Sequence, residues 1–209
     1  ISGMRISYNI ASLEDGEVKD CPFEQFRGWF EDVKESGTIE PNAMTFSTVG
    51  IDGFTDARTV LLKGFSDQGF IFFTNYQSKK AKDIEHNPNV CLLFFWERLQ
   101  RQVRVKGVVE KVSRKESEVY FKSRPLESQI GALCSNQSRE LKSRDILEKD
   151  FNELSVKYES QAVPCPESWG GYILRPISFE FWQGREHRLH DRIVFEKQER
   201  IWIRKRLYP

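Results

Sequence analysis

The chain is poor in the features that announce the commoner functional classes. Its four cysteines, Cys21, Cys91, Cys134 and Cys165, are scattered with no C-x-x-C spacing, which argues against a disulfide framework and a thiolate zinc site. Cys91 lies in the apolar run Val90 to Phe95, where a reduced, buried thiol is expected. No apolar run approaches the ~20 residues of a membrane-spanning helix, and the first residues lack the charged-then-apolar layout of a signal peptide. The sequence begins at Ile1 rather than Met, so a targeting segment upstream would not be visible in it. Charge of neither sign dominates: 32 Lys and Arg stand against 31 Asp and Glu, a net charge of +1. Bulk attraction to nucleic acid or a membrane surface is not indicated, and basic residues have to act locally. Neither G-x-G-x-x-G nor G-x-x-x-x-G-K-[ST] occurs, so any phosphorylated ligand must be held by side chains. These absences describe a cytoplasmic protein with no partner among nucleic acids or membranes.

Aromatic residues, by contrast, are plentiful, with 16 Phe and 5 Trp. The 209 residues suffice for one large core. Residues 1–21 are polar and read as an extended N-terminal arm; residues 22–209 read as a single domain. Pro22 opens a helix with Phe23, Phe26, Trp29, Phe30 and Val33 at helical spacing along a core-facing stripe. Strands are expected over Ala43–Val49, Ala57–Phe65, Phe70–Thr74, Val90–Trp96 and Gln102–Val112, with hairpin turns at Asp52-Gly53 and Asp67-Gln68-Gly69. A short helix over Ser78–His86 is stopped by Asn87-Pro88. Ser113 and Glu116 have capping-box spacing and start a helix running to about Arg124; Pro125 breaks it, and a second short helix reaches Cys134. Residues 143–160 form an amphipathic helix with Ile146, Leu147, Phe151, Leu154 and Tyr158 turned inward. The last strands are Tyr172–Trp182, Asp191–Glu196 and Ile201–Leu207. Hairpins dominate and strand–helix–strand repeats are missing, which predicts a mainly β fold, an antiparallel barrel decorated with helices.

Several groups of side chains carry chemistry. Arg58 and Lys63 stand at the two ends of Arg58-Thr59-Val60-Leu61-Leu62-Lys63; at period two they face opposite ways and share a ligand only if a bulge or strand end re-aims one of them. Phe73-Thr74-Asn75 followed by Ser78-Lys79-Lys80 puts hydroxyls, helix N-terminal amides and two ammoniums together, a phosphate cradle or merely a solvated helix face. Tyr120 and Arg124, four apart on one helix face, and Ser128 beyond the break could hold a second phosphate. Gln102 alternates with Arg104 and Lys106, and Gln137-Ser138 sits in a polar loop. His187-x-x-His190 lacks the further ligands a metal requires. Finally, Phe179-Glu180-Phe181-Trp182-Gln183 leads into Arg188-Leu189-His190-Asp191-Arg192. Two guanidiniums at a strand end suit an anionic or aromatic ligand, or form a surface ion-pair cluster.

In that order, these segments resemble the pyridoxamine (pyridoxine) 5′-phosphate oxidase family. The likeness extends through Phe72-Phe73-Thr74-Asn75, Arg101-Gln102-Val103, Tyr120-Phe121-Lys122-Ser123-Arg124-Pro125, Ser128-Gln129-Ile130-Gly131-Ala132, Ser135-Asn136-Gln137-Ser138 and Ser168-Trp169-Gly170-Gly171. It implies an FMN-binding split barrel, antiparallel and Greek-key-like, working as a homodimer with FMN between the subunits. FMN contacts then fall on Arg58, Thr59, Val60, Leu61, Leu62, Lys63, Phe73, Thr74, Lys79, Lys80, Gln102, Gln137, Ser138, Trp182 and Arg192. Substrate contacts fall on Arg5, Tyr8, Lys63, Tyr120, Arg124, Ser128, Arg188, Leu189 and His190, with Arg188 and His190 in the catalytic role. Arg5 to Tyr8 match a segment that can fold over the site. Lys79 stands where relatives often carry Arg, and Ile6 and Ser7 replace more polar residues. The activity implied is oxidation of pyridoxamine and pyridoxine 5′-phosphates by O2 to pyridoxal 5′-phosphate, releasing H2O2. A flavin reductase-like protein and a pyridoxal-phosphate carrier without oxidase activity are the competing readings.

Overall fold

Helix α1, Pro22–Glu35, begins with Pro at its first position, where a missing N–H costs nothing. Its stripe of Phe23, Phe26, Trp29 and Val33 is buried, and the Phe26 ring lies edge-on to Phe70 at 4.9 Å and tilted against Phe94 at 5.2 Å. The computed structural model describes residue 1, residue 3 and residues 7–209 of the chain. The expected substrate contact Arg5 lies outside the described residues.

The strands are β1 (Ala43–Val49), β2 (Thr55–Leu61), β3 (Gly64–Ser66), β4 (Gly69–Asn75), β5 (Asn89–Trp96), β6 (Arg101–Lys111), β7 (Trp169–Gln183), β8 (Asp191–Gln198) and β9 (Ile201–Leu207). They form one sheet in the order β2-β1-β5-β6-β7-β4-β3, from which β8 branches off β7 and carries β9. Every pairing is antiparallel. The branch has a local cause. Strand β7 pairs with β4 as far as Leu174 and with β8 only from Ser178 onward. Between them lies Pro176, which has no N–H to give, and the register against β6 slips there. Gly107 sits opposite the slip, where a Cβ would stand 2.2 Å from the Arg175 carbonyl oxygen. One strand thereby serves two half-sheets, with Phe179, Phe181, Val103, Val105, Ile193 and Phe195 all on its inner side.

Two sequence expectations need correction. The strand expected over Ala57–Phe65 is two strands, β2 and β3. The chain changes partner at Leu62-Lys63: the Leu62 N–H donates to the Asn42 carbonyl beside β1, while the Lys63 N–H donates to the Ile71 carbonyl on β4. The helix expected over residues 143–160 is α5, Arg144–Lys157, and it has no fully buried residue. Phe151, Leu154 and Tyr158 pack on a small cluster around Phe121, Ile130, Val163 and Trp169, but Ile146 is exposed. Periodicity identifies an apolar face without saying what covers it.

The remaining helices are α2 (Lys79–His86), α3 (Arg114–Ser123) and α4 (Leu126–Cys134). Helix α3 starts as the capping pattern predicts, with the Glu116 N–H donating to Ser113 Oγ at 3.1 Å. Ser113→Ala should therefore lower stability by ~1 kcal/mol, measured by chemical denaturation, with no change in ligand binding. Residues 7–21 form no helix or strand, yet Leu13 and Val18 are buried against the core.

Candidate active site

The partner change at Leu62-Lys63 opens a cavity of about 1000 Å³ bounded by β2, β4 and helices α2 to α4. One end is cationic. Lys80, near the start of α2, is buried and donates to Gln137 Oε1 at 2.8 Å and to the hydroxyls of Thr74 and Ser78 at 3.2 Å. Burial, with a smaller push from Arg58, lowers its pKa to about 8. Arg58 donates to Thr48 Oγ1 at 2.8 Å, and its guanidinium lies 3.8 Å from both Asp56 and Asp83. Lys79 pairs with Asp56 and, at 3.4 Å, with Asp83. The bond from Lys79 is the main reason the Asp56 carboxyl is held below the usual carboxylate range. Three cations against two carboxylates leave a local surplus of positive charge, surrounded by hydroxyls and an amide.

The other end is aromatic and also cationic. The rings of Tyr120 and Phe73 stack at 3.9 Å, and the Trp169 ring lies 5.4 Å from that of Phe73 and 6.2 Å from that of Tyr120. Arg124 sits 4.8 Å over the Trp169 ring. Burial pulls its pKa down, and its Nη1 is buried with no hydrogen-bond partner among the described residues. An unmet guanidinium donor is costly unless an anion completes it. Ser128 lines this end, and Lys63 lines the cavity as well.

A second group lies elsewhere on the chain. Gln102, Trp182 and Arg192 occupy one register row across β6, β7 and β8, and none of them lines the cavity. Two rows along, Glu180, buried, pairs with Arg104 and with Arg192, the latter at 3.0 Å. Arg192 also donates to the Tyr208 carbonyl at 2.9 Å. Beside this row the β7–β8 turn carries His190, whose ring lies 4.6 Å from that of Trp182 and 5.8 Å from that of Tyr8. The Arg185 N–H donates to His190 Nδ1 at 3.0 Å. Burial and the nearby Arg188 lower the His190 pKa, so the neutral ring keeps its proton on Nε2 and can donate it. His187 and Arg188 are left-handed, at φ 56 and 64, a conformation non-glycine residues hold only where the surroundings enforce it. Arg188 and Leu189 are exposed at this turn.

The expected residues therefore divide into two groups. Arg58, Thr59, Val60, Leu61, Lys63, Phe73, Thr74, Lys79, Lys80, Tyr120, Arg124, Ser128, Gln137 and Ser138 share the cavity. Gln102, Trp182, Arg192, Tyr8 and the Arg188–His190 turn do not. Leu62 does not line the cavity: it is 4% exposed inside the core, and both its backbone groups bond Asn42. The sequence reading missed Asp56 and Asp83, which balance the cations, and Trp169, which backs Arg124. Asp83 lies four residues after Lys79, a helix-face spacing that was available as a signal.

Comparison with known proteins bears on what this site does. A family model described as "Pyridoxamine 5'-phosphate oxidase" matches residues 30–158, and one described as "Pyridoxine 5'-phosphate oxidase C-terminal dimerisation region" matches residues 169–209. The chain is 51% identical, over 209 residues, to a pyridoxine/pyridoxamine 5′-phosphate oxidase of Leptospira biflexa, covering 100% of this chain and 99% of that one. Its fold superposes with TM-score 0.91 and 25% identity on PhzG from Burkholderia lata 383, solved with tetrahydrophenazine-1-carboxylic acid, over 97% of this chain and 100% of that one. A pyridoxamine 5′-phosphate oxidase-related, FMN-binding protein from Nostoc punctiforme shares the fold at TM-score 0.73 and 14% identity, over 92% and 100% of the two chains.

Proposed function

Because the chain belongs to the pyridoxamine 5′-phosphate oxidase family, we propose that it oxidises pyridoxine and pyridoxamine 5′-phosphates to pyridoxal 5′-phosphate with FMN as cofactor. Each turnover removes two electrons from the substrate carbon. O2 takes up two electrons and two protons to become H2O2, and the amine substrate additionally consumes water and releases NH3. The observation that carries this reading is a cavity with a net-cationic cluster at one end and the unpartnered Arg124 Nη1 at the other, which suits two phosphorylated ligands.

The residues present fit FMN. Lys80, Arg58, Lys79, Thr74, Gln137 and Ser138 would hold its phosphate, and Lys63 and the β2 backbone would flank it. When bound, FMN supplies the two-electron acceptor that O2 reoxidises. Arg124, Tyr120 and Ser128 would bind the substrate phosphate, giving the stranded Arg124 Nη1 its partner. Arg188 would hold the substrate ring in its reactive ionisation state, and His190 would donate a hydrogen bond from Nε2. Catalysis then rests on positioning more than on an acid–base residue. Gln102, Trp182 and Arg192 would reach a cofactor held in the cavity of a second subunit. Their absence from the cavity of their own chain and the match of residues 169–209 to a dimerisation region support a homodimer with the site between subunits.

The deciding experiment is peroxide release on adding pyridoxine 5′-phosphate to FMN-loaded protein. Release is the expected result; tight binding of the ester without peroxide would identify a carrier instead. A further expectation concerns pH. Lys80 is charged below about pH 8 and neutral above it, so the group that attracts phosphate is lost as pH rises. FMN affinity should weaken above that pH by as much as ~10-fold per unit, and binding near pH 8 should take up a proton. Fluorescence titration across this range checks it, and Lys80→Arg, which does not titrate there, should flatten the profile.

A further inference from the structure

Asp191 lies between two segments whose positions matter to the proposed site, and its carboxylate is shared among three partners. Oδ2 accepts from the Leu13 N–H at 3.1 Å and from Arg185 Nη1 at 2.9 Å, while Oδ1 accepts from Arg206 Nη1 at 2.9 Å. Arg206 in turn donates to the Leu13 carbonyl at 2.7 Å and to Asp15 at 2.8 Å. One carboxylate thus ties the N-terminal segment, the β7–β8 turn and strand β9 together. The tie reaches His190 by a short route, because Arg185, held by Asp191 through its guanidinium, donates its backbone N–H to His190 Nδ1. It reaches the N-terminal segment equally directly. Tyr8, five residues before Leu13, meets Trp182 edge-on at 5.8 Å and packs over Gly184, where a Cβ would stand 2.9 Å from its ring.

The Asp191 side chain is only 16% exposed, so its charge interacts with the two guanidiniums in a partly desolvated setting and is worth more than a surface pair. Within the turn the backbone supplies one hydrogen bond, from the Leu189 N–H to the Glu186 carbonyl at 3.0 Å. Its His187 and Arg188 sit in the left-handed region, and the segment before α1 has no helix or strand to hold it.

We propose that Asp191 is a positioning residue, a clamp that holds the N-terminal segment and the Arg188–His190 turn as one unit, so that segment and turn take their places over the substrate together. The inference rests on the reading of Arg188 and His190 as substrate-facing groups. Asp191 itself touches neither substrate nor cofactor in this scheme; it acts through Arg185, Arg206 and Leu13.

The test uses the full-length, FMN-loaded protein. Asp191→Asn keeps the shape and removes the charge. It should lower kcat/KM for pyridoxine 5′-phosphate by ~10-fold or more, with KM raised as well as kcat lowered, while FMN retention stays at the native level. Backbone amides of residues 7–15 should exchange hydrogen faster. Arg206→Gln, which releases the segment but leaves the Arg185 link, should speed the same exchange with a smaller kinetic loss. Glu14→Gln, altering only an exposed contact to Arg185 at 3.4 Å, should behave as native. Faster exchange with unchanged KM would make Asp191 merely structural and overturn the proposal, as would unchanged exchange or a parallel loss of FMN. If native protein binds FMN but yields no peroxide, the functional reading fails instead, and the exchange comparison still judges the clamp.

Discussion

Arg188→Ala lowers turnover of pyridoxine 5′-phosphate by ~10²- to 10³-fold, the loss expected when a donor aimed at the reacting group is removed, and leaves FMN retention nearly unchanged. The split follows from where the residue sits. Arg188 projects from the β7–β8 turn, is exposed, and has no ion-pair partner among the described residues, so its removal strands no buried charge and opens no cavity. Alanine tolerates φ 64 no better than arginine, so the backbone of the turn is equally strained in both proteins. The change is confined to the guanidinium. Arg188→Lys restores the charge without the planar fork and should recover only part of the activity. Steady-state peroxide assays paired with FMN fluorescence read both quantities, and an equal loss of the two would contradict the assignment.

Arg192→Trp produces the opposite pattern. FMN dissociation should rise ~10- to 100-fold, the worth of one charge-assisted hydrogen bond, and the cofactor-free protein should also melt at lower temperature. The second effect is visible in the structure without any ligand. Arg192 shares the buried carboxylate of Glu180 with Arg104 and donates to the Tyr208 carbonyl. An indole in its place leaves Glu180 with a single partner and crowds the row containing Gln102 and Trp182. Because Arg104 remains, the stability loss should stay below the ~3–5 kcal/mol of a fully broken buried pair. Melting curves with and without FMN separate the two contributions. Unchanged FMN affinity would remove Arg192 from the cofactor site, and an unchanged melt of the cofactor-free protein would mean that Arg104 alone suffices for Glu180.

Much of this architecture was legible in the sequence. The α1 stripe, the hairpin turns, the Ser113 cap and the starts and ends of most strands follow from local rules of spacing and turn chemistry, and those rules act over a few residues. What escaped them was non-local. The single strand expected over Ala57–Phe65 is broken because Leu62 and Lys63 find hydrogen-bond partners on different strands, a choice no window of sequence contains. The same break settles the orientation of Arg58 and Lys63, which alternate out of phase yet line one cavity. Ile146 on α5 has the right periodicity and no covering element.

Sequence alone therefore determined most of the elements, the β-rich class and the family, because composition, periodicity and motif order are properties of the chain itself. Only the tertiary structure decided how the chemistry is distributed. It separated the cavity residues from the Gln102–Trp182–Arg192 row, removed Leu62 to the core, paired the cations with Asp56 and Asp83, and put the Asp191 carboxylate between the Leu13 N–H and the turn. Each of those outcomes depends on residues far apart in sequence meeting in a low-dielectric setting. There, charges and hydrogen-bond donors must be matched by whatever partner the fold brings to them.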